Sequence, residues 1–159
     1  PPPPPPTPRD SIRRQRQMCI RDRIISPDRY LGGVIEILNV LREGEVVSIM
    51  GDRGYGASAV EVSFLGDKAW FPYSAFHLAA AAGCPLIVMQ TAKVSRYCYV
   101  VDMSNVLYPR YQGRRDRVGQ LQPWVQSFVT QMERFVEEHP YQCFLFRDVW
   151  TEEGDGISI

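Results

Sequence analysis

Apolar residues recur at helical spacing in three parts of the chain. The first predicted helix opens at Pro27 or Asp28, stops at Glu43-Gly44 and has apolar positions Leu31, Val34, Ile35, Leu38 and Leu41. Pro72 suits the first turn of a second helix over 75–82, with Gly83 as its stop. A third helix ends before Pro140, and its predicted inner face is Trp124, Phe128, Met132, Phe135 and Val136.

Shorter apolar segments between these helices predict strands. Residues 46–50 form a continuous apolar run, as in a strand buried on both faces, whereas residues 60–64 alternate apolar and polar positions. A turn at Gly66-Asp67 allows residues 69–71 to pair back as a short hairpin arm. Further strands are predicted at 86–89, 97–101 and 141–146. Strands that alternate with helices predict an α/β layered sandwich with a mostly parallel central sheet.

The first 23 residues differ from the rest in composition. They hold seven of the 13 prolines and six arginines against two aspartates, with no apolar periodicity. Three interpretations compete: a basic arm for nucleic acid, a proline-rich ligand, or an extraneous tail. Residues 13–22 resemble the translation of a sequencing-library adapter, which favours the third. We therefore expect a non-native or disordered tail over 1–23, a native domain over 24–159, and a lost upstream half.

Composition limits the function further. The 159 residues are 45% hydrophobic, enough for one modest core, and 18 basic residues balance 18 acidic ones, which argues against nucleic-acid binding. The four cysteines lack the spacing of a zinc site, so we expect no metal. Cys84, Cys98 and Cys143 each lie among apolar residues, so we expect buried, reduced thiols there. No apolar run is long enough for a transmembrane segment, and the first residues do not resemble a signal peptide.

Asp52 and Arg53 are the first candidates for chemistry. They follow the predicted strand 46–50, at the edge where open α/β sheets place their ligands, although a simple salt bridge between them is the structural alternative. The glycines at 51, 54 and 56 do not have the spacing of a nucleotide-binding loop. His77 is interpreted as a packed helix residue, and His139 as a cation favoured at a helix end.

An arginine-rich loop is the second candidate. It spans residues 104–118 and interleaves two tyrosines with Arg110, Arg114, Arg115 and Arg117. A solvated surface is its ordinary interpretation, and the functional alternative is contact with a phosphate or an acidic partner, because the planar guanidinium suits phosphoryl oxygens.

Ordered blocks of residues resemble a known family. Residues 41–52, 64–79, 83–88 and 133–150 are similar to the C-terminal half of bacterial lipid A biosynthesis acyltransferases, within the lysophospholipid acyltransferase superfamily. The resemblance implies an incomplete glycerolipid-acyltransferase-like domain and transfer of a fatty acyl chain from acyl carrier protein or acyl-CoA to a hydroxyl of a membrane lipid or lipid A-like glycolipid. It implies no cofactor, and a full-length parent at the cytoplasmic face of the inner membrane. It also allows peripheral membrane contact by this chain.

The family's general base is a His in an H-x-x-x-x-D/E motif. His77 and His139 are followed at that interval by Ala82 and Phe144, so this chain offers no catalytic pair and we expect it to be inactive alone. Matched positions imply substrate-binding roles for Asp52, Arg53, Gly66, Pro72 and Ser74. A noncatalytic α/β module that binds a phosphorylated or acidic partner is the alternative function.

Overall fold

The computed structural model describes residues 24–25, 33–53, 59–113, 115–145 and 148–150, and the structural statements below concern these residues. The chain divides into two compact units, Pro1–Gly33 and Val34–Ile159. The helices and strands belong to the second unit. In chain order they are α1 (Val34–Arg42), β1 (Ala59–Phe64), β2 (Asp67–Pro72), α2 (Ser74–Ala82), β3 (Leu86–Lys93), β4 (Tyr99–Leu107) and α3 (Arg117–Glu138).

Helices α1 and α2 end at the glycines that the sequence predicted. Gly44 has a φ of 81°, its N–H donates to Leu41 O, and the next N–H, of Glu45, donates to Val40 O. This pair of bonds satisfies the last carbonyls of α1. Gly83 has a φ of 72° and closes α2 by donating to Ala79 O. The predicted opening of the first helix near residue 27 lies outside the described residues.

The first hairpin joins β1 and β2 as antiparallel strands. It runs in register from Ala59 opposite Pro72 to Phe64 opposite Asp67. Leu65 and Gly66 form the two-residue turn, and both have positive φ, 53° and 85°. Such turns match the natural twist of the strands. The predicted return arm is therefore confirmed, and so is the exposed face of the first strand. The turn lies one residue earlier than the predicted Gly66-Asp67, because Asp67 already pairs with Phe64.

The second hairpin joins β3 and β4, again antiparallel, from Leu86 opposite Leu107 to Lys93 opposite Tyr99. The register shifts between Val88 and Gln90, so that two residues of β4, Met103 and Ser104, oppose one residue of β3. This bulge orients the Ser104 N–H toward the Asp102 carboxylate at 2.9 Å, and that hydrogen bond lowers the pKa of Asp102. Both predicted strands are present and longer than expected.

Helix α3 forms the centre of the core. Its residues Leu121, Val125 and Val129, each one turn apart, have no exposed surface, and they pack with the inner face of the first hairpin and with α2. The other core members are Val62, Phe64, Ala69, Phe71, Phe76 and Val149. Of the predicted inner face, Trp124, Phe128, Met132 and Val136 pack at the margin of this core. The buried face of α3 is therefore rotated relative to the predicted inner face, and it is centred on the aliphatic residues Leu121, Val125 and Val129.

The described residues form a mixed α/β structure, but they do not show the predicted mostly parallel central sheet. Both sheets have two antiparallel strands. The reason is loop length, because two residues link β1 to β2 and residues 94–98 link β3 to β4. Connections that short make hairpins, whereas parallel neighbours need a crossover of a dozen residues or more.

Two predicted strands are absent from the described part of the chain. Residues 46–50 adopt no regular structure, and Val46 is 94% exposed, so the prediction of a strand buried on both faces is wrong. Residues 141–145 form a turn and an irregular segment, while residue 146 of that predicted strand is not described. In both cases no described strand lies alongside to supply backbone hydrogen bonds, and an apolar run without such a partner does not form a sheet.

Candidate functional site

Gly51 lies against α3, and the segment Gly51, Asp52 and Arg53 does not follow a strand. The predicted position at a carboxyl edge of a sheet is therefore wrong. Instead, the backbone of Gly51 approaches the ring of Phe128 so closely that a Cβ atom there would lie 2.9 Å from Cζ. Glycine has no side chain, which allows this contact. The contact in turn fixes the position of the backbone from which Asp52 extends.

Asp52 and Arg53 form an ion pair, with 3.7 Å between Asp52 Oδ2 and Arg53 Nε. The side chain of Asp52 is 25% exposed and that of Arg53 is 48% exposed. A pair this long and this accessible adds at most about 1 kcal/mol to stability. The simple salt bridge considered from the sequence is thus present, and both charged groups remain accessible to a ligand.

The charge of Asp52 also acts on Cys143, a residue that sequence reasoning did not assign to the site. Burial raises the pKa of the Cys143 thiol, and the negative charge of Asp52 raises it further. The thiol is therefore held in its neutral form, which is the opposite of an activated nucleophile. The sequence carries no signal for this electrostatic interaction, because 91 positions of chain separate the two residues.

The other predicted substrate-binding residues are distributed along one hairpin. Gly66 lies in the turn at one end of β2, and Pro72 is the last residue of β2 at the other end. At about 3.3 Å per residue these positions are about 20 Å apart. Pro72 is buried in the strand and does not open the helix, which corrects the prediction, because α2 begins at the exposed Ser74. The structure thus brings together Asp52 with Arg53, and Pro72 with Ser74.

The arginine-rich loop is shorter than predicted, since β4 extends to Leu107, and it is folded around Gln120. The Gln112 N–H donates to Gln120 Oε1 at 2.6 Å, and Gln120 Nε2 donates to the carbonyls of Gln112 and Arg115 at 3.1 and 2.9 Å. These bonds give the loop a defined shape. The side chains of Arg110 and Arg115 are exposed, and Arg114 lies outside the described residues.

Tyr111 connects this loop to helix α2. Its ring stacks on His77, with centroids 5.5 Å apart and planes within 15°. The guanidinium of Arg117 lies 4.8 Å from the centre of the same ring and donates through Nε to Gly113 O at 3.3 Å. His77 is therefore a packed residue, as the sequence predicted, and Arg117 has a structural contact rather than a free guanidinium.

His139 caps the carboxyl end of α3. Its backbone N–H donates to Phe135 O at 2.8 Å, and its ring lies 5.1 Å from that of Phe135. Among the described residues, no three His, Cys, Asp or Glu side chains are grouped as a metal site would require. In the same part of the chain, every helix is too short or too polar to cross a bilayer.

The fold and the candidate site together define a mixed α/β protein with an accessible acid–base pair and a separate arginine-bearing loop. A family model for bacterial lipid A biosynthesis acyltransferases matches residues 14–152, most of the chain. The chain therefore belongs to the bacterial lipid A biosynthesis acyltransferase family. Comparisons with curated proteins and with solved structures give no match. The resemblance seen in the sequence is confirmed, and membership indicates an enzyme class that joins an acyl donor to a lipid acceptor.

Proposed function

We propose that this chain is the C-terminal part of an acyltransferase. The parent enzyme transfers a fatty acyl chain from acyl carrier protein or acyl-CoA to a hydroxyl of a membrane lipid or lipid A-like glycolipid, at the cytoplasmic face of the inner membrane. The observation that carries this proposal is the family match over residues 14–152. The acyl chain leaves its thioester, the acceptor oxygen bonds to the carbonyl carbon, and the acceptor proton passes to the thiolate by way of a base.

We assign binding and alignment, rather than proton transfer, to the residues of this chain. Arg53 is accessible and its guanidinium suits a phosphate of the donor or of the acceptor. Asp52 orients Arg53 through their ion pair. Ser74 and Pro72 contribute to substrate binding at the junction of β2 and α2, and Gly66 shapes the hairpin turn. The general base belongs to an H-x-x-x-x-D/E pair that the 159 residues do not contain.

Acyl transfer by two proteins tests this assignment. The first is the chain as it stands, and the second is the chain joined to the N-terminal half of a family member that carries the histidine motif. With an acyl carrier protein donor and a detergent-solubilised lipid acceptor, we expect transfer by the second protein alone. Transfer by the 159-residue chain by itself would show that the base lies among its own residues.

Arg53 gives a sharper test within the joined protein. Because a hydrogen bond to a charged group contributes about 1.5–3 kcal/mol, Arg53→Gln should lower kcat/KM at least about tenfold. The loss should lie mainly in KM if Arg53 holds substrate rather than the transition state alone. Arg42→Gln, which also removes an exposed charge, at the end of α1, is the matched control. Equal kinetics for the two variants would remove Arg53 from the site.

We also propose that residues 1–23 are not part of the native protein. The support is their composition and the likeness of residues 13–22 to a translated adapter. The family match begins at residue 14, inside this segment, so the boundary needs its own test. Sequencing reads that cross the codons of Arg23 and Ile24 from continuous genomic DNA would contradict the proposal.

The second candidate function is a noncatalytic module that binds a phosphorylated or acidic partner through the arginine-rich loop. The favouring observation is that Gln120 holds this loop in shape while Arg110 and Arg115 stay exposed. An acidic phosphopeptide should then bind with strong salt dependence, and Arg110→Glu with Arg115→Glu should abolish binding. Unchanged binding of the peptide by this double variant would show that the loop is an ordinary solvated surface.

A further inference from the structure

The turn of the second hairpin carries exposed apolar and aromatic side chains. This hairpin tip consists of residues 93–99. Val94 is 54% exposed, Tyr99 60% and Tyr97 85%, although side chains of this size are usually more covered. The exposed apolar surface continues from the tip along the outer face of the hairpin, where it is formed by Ile87, Met89, Val101 and Val106.

The hairpin tip carries two basic residues, Lys93 and Arg96, and no acidic residue of its own. The two cations of the tip lie over its two aromatic rings, with Arg96 5.3 Å from the centre of Tyr97 and Lys93 5.8 Å from the centre of Tyr99. The tip is thus cationic in a chain whose formal net charge is zero.

The hairpin tip is held in a fixed position. The N–H groups of Val94 and Ser95 both donate to Cys98 O, at 3.0 and 3.3 Å, which closes the turn. At the base of the tip, the side-chain amide of Gln142 accepts from the Lys93 N–H at 2.7 Å and donates to the Lys93 carbonyl at 3.1 Å. Gln142 follows the end of α3, where its own N–H donates to His139 O. The exposed rings are therefore presented on a braced turn.

We propose that the hairpin tip contacts an anionic lipid surface. Tyrosine is favoured at the boundary between headgroups and acyl chains, because its ring is apolar and its hydroxyl is hydrated. Lys93 and Arg96 pair with lipid phosphates, and Val94 enters the headgroup region beside them. The inference rests on the proposed function in one respect, namely that the acceptor is a membrane lipid. It adds which residues bring the protein to that lipid.

Vesicle binding tests the proposal without any acyl transfer. The 159-residue chain is sedimented with vesicles of phosphatidylglycerol and phosphatidylethanolamine at about 1:3, and with vesicles of phosphatidylcholine alone, since only the first carry negative charge. Arg96→Gln should weaken partition into the anionic vesicles about fivefold, as expected for one basic residue at such a surface. Tyr97→Ser should weaken it by a similar factor, and binding to phosphatidylcholine should be weak throughout.

Two control variants remove the same types of side chain, an arginine and a tyrosine, at positions away from the hairpin tip. Arg42→Gln removes an exposed charge from the end of α1, and Tyr108→Ser removes a 54% exposed tyrosine beyond the opposite end of the hairpin. Both should bind vesicles as the unchanged chain does. Because Tyr97 and Arg96 are exposed, their substitution should leave the circular dichroism spectrum and the unfolding midpoint unchanged.

Three outcomes would overturn the inference. The first is equal binding to neutral and anionic vesicles, and the second is an equal loss of binding in the tip variants and the control variants. The third is a concentration-dependent dimer that Tyr97→Ser dissociates, which would show that the tip is an interface with a second copy of the chain. A failure of the proposed function can be distinguished from a failure of this inference. In the joined protein, Tyr97→Ser should reduce acyl transfer to a vesicle acceptor and preserve transfer to a detergent-solubilised one, whereas a wrong reaction class leaves both absent.

Discussion

The two hairpins share one construction and differ in what covers them. Both are antiparallel, and in both the side chains along each strand point alternately to the two faces of the hairpin. The first has Val62, Phe64, Ala69 and Phe71 buried beneath α3. In the second, only Val88 and Ala92 are buried, while Tyr99, Val100 and Val101 are at least half exposed. Alternation along a strand therefore decides which residues share a face, and the packing of another element decides whether that face is buried.

The edges of the hairpins repeat the contrast. The side-chain amide of Gln126 on α3 accepts from the Ser63 N–H at 2.8 Å and donates to the Ser63 carbonyl at 3.0 Å. Gln122 donates to Glu61 O on the same edge at 3.4 Å. The edge of β1 is thus paired to glutamine side chains along its length, whereas Gln142 pairs with the edge of β3 at Lys93 alone.

A core truncation should give the largest difference between the hairpins. Phe71 has no exposed surface, so Phe71→Ala should lower the free energy of unfolding by about 3–5 kcal/mol through lost burial and a cavity. Ile87 on the second hairpin is 54% exposed, and Ile87→Ala should change it by less than about 0.5 kcal/mol. Urea unfolding followed by circular dichroism measures both. Similar losses would mean that the outer face of the second hairpin is covered in solution.

The contact of Gly51 with α3 should give the next effect. A methyl group at residue 51 meets the ring of Phe128, which itself packs on Phe76, so Gly51→Ala should cost about 1–2 kcal/mol by overpacking. Phe128→Leu removes that ring atom. In a double-mutant cycle, Gly51→Ala should cost less in the Phe128→Leu background, and strict additivity of the two changes would contradict the contact.

The glutamine pairing should give a smaller effect. Gln126→Leu keeps the helical propensity and removes two hydrogen bonds to Ser63, so we expect a loss of about 0.5–1.5 kcal/mol. Hydrogen exchange at the Ser63 amide should accelerate in this variant. Gln122→Leu, which removes one long bond, is the control and should have less effect. Unchanged exchange at Ser63 would show that water replaces Gln126 without cost.

The smallest effect should be a pH dependence at Cys143. Its pKa is raised from the ordinary value of a cysteine thiol in the folded chain, mainly by burial, so the folded state holds this proton more tightly than the unfolded state. The resulting stability is complete below the unfolded pKa and is lost as pH rises through the folded pKa. Between pH 7 and about 10, stability should fall less in Cys143→Ser than in the parent chain. Cys98→Ser, at the exposed hairpin tip, is the control and should keep the parental profile.

Local signals in the sequence predicted local structure well. Gly44 and Gly83 end their helices because each adopts the left-handed conformation that glycine tolerates, and Gly66 lies in the predicted hairpin turn. The partners of each strand were harder to predict, because they depend on residues distant in the chain. Residues 46–50 have the composition of a buried strand, yet no described strand pairs with them, and so the sheet edge expected at Asp52 was misplaced.

The candidate site was predictable to a similar extent. Asp52 and Arg53 are adjacent in sequence, so their ion pair was foreseeable from residue type alone. The effect of Asp52 on Cys143 was not, nor was the stacking of Tyr111 on His77, since both depend on how distant parts of the chain pack. The family resemblance rests on blocks of sequence, and for that reason it was recognised even where the predicted sheet was wrong.

The pairing of Gln126 with Ser63 also has a consequence for how the chain folds. The two residues are 63 positions apart, so β1 can form with β2 long before α3 is available to cover its edge. A hairpin forms within microseconds, whereas synthesis of the residues between β2 and residue 126 takes seconds. During synthesis, the β1 edge therefore stays open to other strands until residue 126 has been made. Edge protection is a late folding event, and the interval before it is when this chain is most exposed to aggregation.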